Sequence, residues 1–215
     1  MPRSASETLC FNFSQGMHAA AQPLAILRAS LDTSYTDRMT REELRELAAR
    51  SAEQVERVCT LFSCLQQLVS TESIKPELSE MSILPLLADA ADGVKLLFEN
   101  DGIVLNSILP GTCQPALANR ARTQQALSNV LLIAHAVSRA QDTVELIAFS
   151  SSSNTVQVVV RNTQLYIDAM NAEQSLSMAL AEANMKSQQA GFSWGLQPFS
   201  VQIEFSGAEL RNDSL

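Results

Sequence analysis

The sequence predicts an α+β chain: an antiparallel helical hairpin that pairs with a second copy as a four-helix bundle, followed by an α/β sandwich. Residues 6–72 hold one Gly and one Pro, and their apolar positions recur at helical spacing. Within them Leu44, Ala48, Ser51, Val55, Val58, Phe62, Leu65 and Val69 step alternately by four and three, the 3.5-residue repeat of coiled-coil packing. Beyond Pro76, helix-like stretches interleave with short alternating ones, the mark of helices laid on a sheet.

The hairpin begins with a stripe of Leu9, Phe13, Met17, Ala20, Leu24, Leu27 and Leu31. The polar stretch Asp32–Thr40 follows, and Thr40 with Glu43 forms a capping-box signature at the start of the second helix. Two amphipathic helices cannot hide both stripes alone. Either a second copy covers them, as in a dimeric four-helix bundle, or the remaining residues do. Thr71–Glu77 is polar, contains Pro76 and marks a boundary between a domain of residues 1–75 and one of 76–215. In the second domain Ser79 caps a predicted helix reaching Asn100, closed by Asp101-Gly102. A strand over Ile103–Leu109, a helix over Asn119–Arg139 and a hairpin of Thr143–Ser150 with Val156–Asn162 follow. Residues 171–188 are helical, Gly195–Ser206 is a final short helix, and Ala208–Arg211 is a last strand.

Composition narrows the function. The net charge is −8, which excludes a nucleic-acid clamp, since neutralising phosphates needs clustered Lys and Arg. Seven Gly in 215 residues is less than half the usual share of roughly 7%, a handicap for cradling phosphates on backbone amides. Cys10, Cys59, Cys64 and Cys113 lie far apart with no CxxC pair, so no metal site is expected and the thiols read as reduced. No secretory signal and no apolar run long enough to cross a bilayer is found, so no membrane attachment is expected and the chain reads as cytoplasmic.

Three stretches, in order, resemble the bacterial two-component sensor histidine kinases, over roughly residues 8–211. His18-Ala19-Ala20-Ala21-Gln22-Pro23-Leu24 is similar to the family's phosphoacceptor box, with Ala19 in place of its acid. Arg122 to Ala134 looks like the helix that carries the family's nucleotide-binding asparagine. Ser193-Trp194-Gly195-Leu196, leading to Gly207-Ala208-Glu209-Leu210, is similar to its last glycine box and closing strand. The resemblance implies a histidine-kinase-type ATPase-like sandwich behind the hairpin.

The departures bear on activity. The family's Mg²⁺-chelating Asn falls on Ile133, which has no oxygen to offer a hard cation. Its Asp-x-Gly-x-Gly box falls on Asn162-Thr163-Gln164-Leu165-Tyr166, with an amide at Asn162 for the acid and Gln164 for the first glycine. The family's lid maps to about 168–190, with no glycine there, and in the last box only Gly195 remains of the usual pair. Residues 76–215 carry 7 Lys and Arg against 14 Asp and Glu, unfavourable for a polyanionic nucleotide; Arg120 and Arg122 are the local exception. No cofactor is therefore expected, and ATP-dependent autokinase activity is not. His18 still satisfies the demands of phosphotransfer, a neutral imidazole with Gln22 one turn on as its support. The alternative for His18 is a vestige or a packing residue. His135, Met17 and Trp194 read as packing. What the resemblance implies is a homodimeric histidine phosphotransferase or phosphorelay intermediate that exchanges phosphoryl groups between His18 and response-regulator receiver domains. Its alternative is a non-phosphorylated pseudokinase adaptor that regulates receivers or a partner kinase by occupancy.

Overall fold

The computed structural model describes residues 5–33, 39–151, 155–165 and 167–207. The side chains of Leu9 and Leu31, the connector 34–38, the turn 152–154, Tyr166 and the expected strand Ala208–Arg211 lie outside what is described. The chain divides into two compact units: Met1–Ser70 with Asn171–Leu176, and Thr71–Met170 with Ser177–Leu215.

The first unit is built on helices α1 (Ala5–Thr33) and α2 (Arg41–Ser73). The capping box forms as expected. Thr40 N–H and Oγ1 donate to Glu43 Oε2 at 2.7 and 2.9 Å, and Glu43 N–H donates back to Thr40 Oγ1 at 3.3 Å. The single heptad stripe read from the sequence resolves into two seams. Leu47, Ser51, Gln54, Val58, Leu61, Leu65 and Leu68 are buried or half-buried, whereas Leu44, Ala48, Val55, Phe62 and Val69 are exposed. On α1 the covered residues are Gly16, Ala20, Pro23, Leu27 and Ser30, again stepping by four and three, while Phe13, Met17 and Leu24 are exposed. Met17 is thus not a core residue in the single chain.

Gly16 sets how closely the two helices approach. A Cβ placed on it would lie 2.6 Å from Leu65 Cδ2 and 3.0 Å from Leu65 Cγ. Ala20, Leu61, Leu65 and Leu176 close the small core beside it. Helix α1 continues through Pro23. The missing proline N–H leaves the carbonyl of Ala19, one residue from His18, without its helical donor.

The second unit contains β1 (Ser79–Met81), α3 (Leu84–Asn100), β2 (Val104–Ile108), β3 (Ala116–Ala118), α4 (Arg120–Val137), β4 (Thr143–Ser151) and β5 (Thr155–Asn162). Helix α5 (Ala172–Ser187), shared between the units at its first turn, and strands β6 (Gly191–Leu196) and β7 (Phe199–Ser206) complete it. The sheet order is β2-β4-β5-β7-β6, parallel only between β2 and β4. Val144, Leu146 and Ala148, Val156, Val158 and Val160, and Phe199, Val201, Ile203 and Phe205 alternate onto one face. There they meet Leu87, Val94 and Phe98 of α3, Leu127, Val130 and Leu131 of α4, and Met178, Ala181 and Met185 of α5. Each Val, Leu, Ile, Phe or Met among them contributes roughly 1.5–3 kcal/mol on burial, so this layer contact is what holds the sandwich together. The opposite face is mixed: Ile147, Phe149 and Val159 lie beside Glu145 and Arg161, which pair at 2.7 Å across β4 and β5.

Three expectations differ from the structure. Ser79 begins strand β1, paired with β3, and the helix starts instead at Leu84 with Pro85 in its first turn. Its C-terminal stop holds: Gly102 takes φ +68° and donates to Glu99 O at 3.1 Å. Gly195–Ser206 is not a helix but the hairpin of β6 and β7, because Phe199, Val201, Ile203 and Phe205 alternate with polar residues at period two. Residues 171–188 are helical as expected, with helix α5 covering Ala172–Ser187. Trp194 lies on edge strand β6 and is 42% exposed rather than in the core.

Candidate functional site

The two sets of residues singled out by sequence lie in different units, and each is described by itself. In the hairpin, His18 follows the exposed Met17 on α1, and its ring is exposed. Gln22, one helical turn later, is exposed as well, whereas Ala20 and Pro23 between and beyond them are buried. Helical geometry thus turns the imidazole outward while its neighbours pack against α2. Ala19 is half-buried, and a methyl group there supplies no carboxylate beside the imidazole.

In the second unit the positions that the sequence resemblance assigns to a nucleotide are occupied by packing and by internal hydrogen bonds. Ile133 is 3% exposed and sits in the main core among Val130, Ala134 and the sheet residues. Asn162, at the end of β5, is completely buried, and its amide is spoken for. Nδ2 donates to Ser138 Oγ and to Asp142 Oδ2, both at 3.0 Å, and Oδ1 accepts from Gln164 N–H at 3.1 Å. Leu165 turns into the core, and the loop is tied to the β6–β7 turn by Ile167 N–H to Leu196 O at 3.1 Å and Phe199 N–H to Leu165 O at 3.0 Å. Gln164 itself is exposed, and Gly195 lies in the β6 ladder opposite Ser200. Ile133 offers no oxygen donor to a hard cation, and the carboxamide of Asn162 is already used within the chain. Among the described residues no group of three or more His, Cys, Asp or Glu is placed to hold a metal.

The two arginines that could have offset the acidic charge are also engaged. Arg120 pairs with Asp89 at 3.5 Å. Arg122 donates to Thr71 O at 3.0 Å, to Ile74 O and to Ser187 Oγ, so its guanidinium caps the last carbonyls of α2. Partial burial lowers its pKa from the ordinary arginine value, though not enough to discharge it. Around it runs an amide network that the sequence reading missed. Asn184 Nδ2 donates to Gln125 Oε1 at 3.0 Å, Thr71 Oγ1 donates to Asn184 Oδ1 at 3.3 Å, and Gln188 Oε1 accepts from Asn119 N–H at 2.7 Å. The available signal was the polar pair Asn184 and Gln188 recurring at the same spacing as buried Ala181 and Met185. His135 is a packing residue, its ring 5.1 Å from that of Phe98. Its Nε2 lies 2.8 Å from Asp101 Oδ2 but without hydrogen-bond geometry.

No family model matches the sequence, and no curated protein matches it. Solved structures do. The histidine kinase AdeS of Acinetobacter baumannii is similar over 89% of this chain and 98% of its own, with a TM-score of 0.72 and 16% identity. Full-length ShkA, solved in complex with AMPPNP, is similar over 95% of this chain and 46% of its own, with a TM-score of 0.61 and 16% identity. A histidine kinase from Burkholderia phymatum STM815 is similar over 88% of this chain and 95% of its own, with a TM-score of 0.51 and 19% identity. Helical hairpin and mixed-sheet sandwich together give this chain the fold of the two-component sensor histidine kinases.

Proposed function

We propose that the chain is a two-component signalling protein of histidine-kinase type that has lost ATP binding. It acts in the cytoplasm as a histidine phosphotransferase between receiver domains. Residues 1–75 form the dimerisation and phosphoacceptor-like domain, and residues 76–215 a degenerate ATPase-like domain. The observation that carries this reading is the contrast between an outward-facing His18 ring and an Ile133 buried in the core. The exposed seam of Phe13, Met17, Leu24, Val55, Phe62 and Val69 supports a homodimeric four-helix bundle, since an apolar stripe of this length needs a partner.

In this mechanism a neutral imidazole nitrogen of His18 attacks the phosphorus of an aspartyl phosphate on the receiver. The N–P bond forms as the P–O bond to the aspartate breaks, and the carboxylate is the leaving group. The reverse step passes the group to a second receiver, and neither direction needs a general base beside His18. The transition state is stabilised by the cation and acidic pocket of the receiver, so Ile133 and Asn162 take no part. Gln22, a turn away, orients the ring through its amide.

Receivers radiolabelled at aspartate test this directly. Label moves to the chain and is lost in His18→Ala, while His18→Ala keeps its helix content and melting temperature. Absence of transfer from every cognate receiver, with binding retained, favours the second reading, an adaptor that regulates receivers by occupancy. The observation that favours that second reading is Ala19, which stands next to His18 where the resembled box carries an acid.

A further inference from the structure

The five-stranded sheet ends at β2, with no strand beyond it among the described residues. Val104 N–H donates inward to Asp142 O at 2.9 Å, and β2 runs parallel to β4 from the pair Val104–Thr143 to the pair Ile108–Ile147. Alternate residues of a parallel strand bond the same neighbour. The N–H and C=O groups of Leu105 and Ser107 therefore point out of the sheet. Proteins usually blunt such an edge with charge, proline or cover. Here β2 reads Val-Leu-Asn-Ser-Ile, and Val104 is 54% and Ile108 47% exposed.

Beside this edge lies a cleft of about 370 Å³ between Asp92, Lys95 and Glu99 of α3 and Val104, Leu105 and Ser107 of β2. The free backbone groups recur every second residue, roughly 6.6 Å apart, a spacing that an extended chain matches and a helix does not. Asp92 and Glu99 outnumber Lys95 on the helical wall, and among the described residues none of the three makes an ion pair. A second copy would bring the same carboxylates against each other and adds a net charge of −8. We propose that the groove between α3 and β2 binds an extended segment of a partner protein bearing Lys or Arg, which adds as a strand to β2. Backbone hydrogen bonds give the affinity, and the α3 carboxylates select the basic side chains.

The test uses two fluorescein-labelled peptides, Lys-Val-Thr-Val-Lys and Glu-Val-Thr-Val-Glu, with the full chain. Anisotropy reports binding, and amide hydrogen exchange reports where. The basic peptide binds better than the acidic one and slows exchange at Leu105 and Ser107. Ser107→Pro removes one outward N–H without touching the β4 ladder and weakens binding about tenfold. The pair Asp92→Lys and Glu99→Lys, far from the sheet core, reverses the preference between peptides. Unprotected edge amides, binding unchanged in both variants, or edge protection that rises with protein concentration alone would each overturn the proposal, the last by making a second copy the occupant.

Discussion

Replacing Ile133 by Asn introduces an oxygen donor at the position where the resemblance to histidine kinases would expect a magnesium ligand, and it should fail to create a site on two counts. Ile133 is 3% exposed and belongs to the continuous core of the sandwich. Removing its buried side chain forfeits roughly 1.5–3 kcal/mol of apolar burial. The new amide, surrounded by apolar neighbours, adds about 1–3 kcal/mol for polar groups left without partners. Ile133→Asn should therefore destabilise the chain by about 3–5 kcal/mol, against about 0.5–1.5 kcal/mol for Ile133→Val. Urea unfolding followed by circular dichroism measures both. A calorimetric titration with Mg²⁺ and ATP, run where the variant is still folded, should show no saturable binding, because Asn162 remains tied to Ser138 and Asp142. A variant within about 0.5 kcal/mol of the parent, the scatter of ordinary surface substitutions, would mean that residue 133 borders open space. Recovered nucleotide binding would refute the reasoning outright.

Three further outcomes follow from the packing and the caps. Gly16→Ala should destabilise the hairpin by about 1 kcal/mol net, overpacking against Leu65 outweighing the better helix propensity of Ala. In the Leu65→Ala background its cost should vanish or reverse, giving a coupling of about 1 kcal/mol or more in a double-mutant cycle; strict additivity would contradict the contact. Glu43 has its carboxyl pKa lowered, first by the Thr40 backbone N–H and then by the Thr40 hydroxyl. Its contribution is therefore present above the unfolded carboxylate value of about 4.3 and lost as pH falls through the lower folded value. Glu43→Gln should flatten that acid-side dependence of the melting temperature, whereas Thr40→Ala, which keeps the backbone N–H, should reduce it only in part. Arg122→Met should cost about 1–2 kcal/mol by freeing the α2 carbonyls, and Arg122→Lys should recover only part, since an ammonium cannot reproduce the planar fork; chemical denaturation distinguishes the three proteins.

Much of this was legible in the sequence, and what was not has physical causes. The capping box at Thr40 and Glu43, the stop at Gly102 and the β4–β5 hairpin depend on near neighbours, and they form where the residues said they would. The heptads of α2 were visible, but the helix is apolar on two overlapping seams. Spacing alone could not say that Leu61 and Leu68 face inward while Phe62 and Val69 face out. At the C-terminus the helix expected over Gly195–Ser206 is a strand pair, and the signal against it was local: Phe199 to Phe205 alternates with polar residues at period two. The Arg122 network joins residues 71, 74, 122 and 187, too distant in sequence for any local pattern to announce.

The hydrogen bond from Asn162 to Asp142 ties the charge of the turn before β4 to the residue type at position 162. An acidic side chain at 162 would set a second carboxylate about 3.0 Å from Asp142 Oδ2, where two negative charges cannot both persist. One of the two carboxyl groups would then have to keep its proton, its pKa pushed up by the other. Asp142 also accepts from the N–H of Arg139 at 2.9 Å, where it holds the turn before β4. The amide at 162 thus lets Asp142 stay charged while it serves both the strand end and the turn.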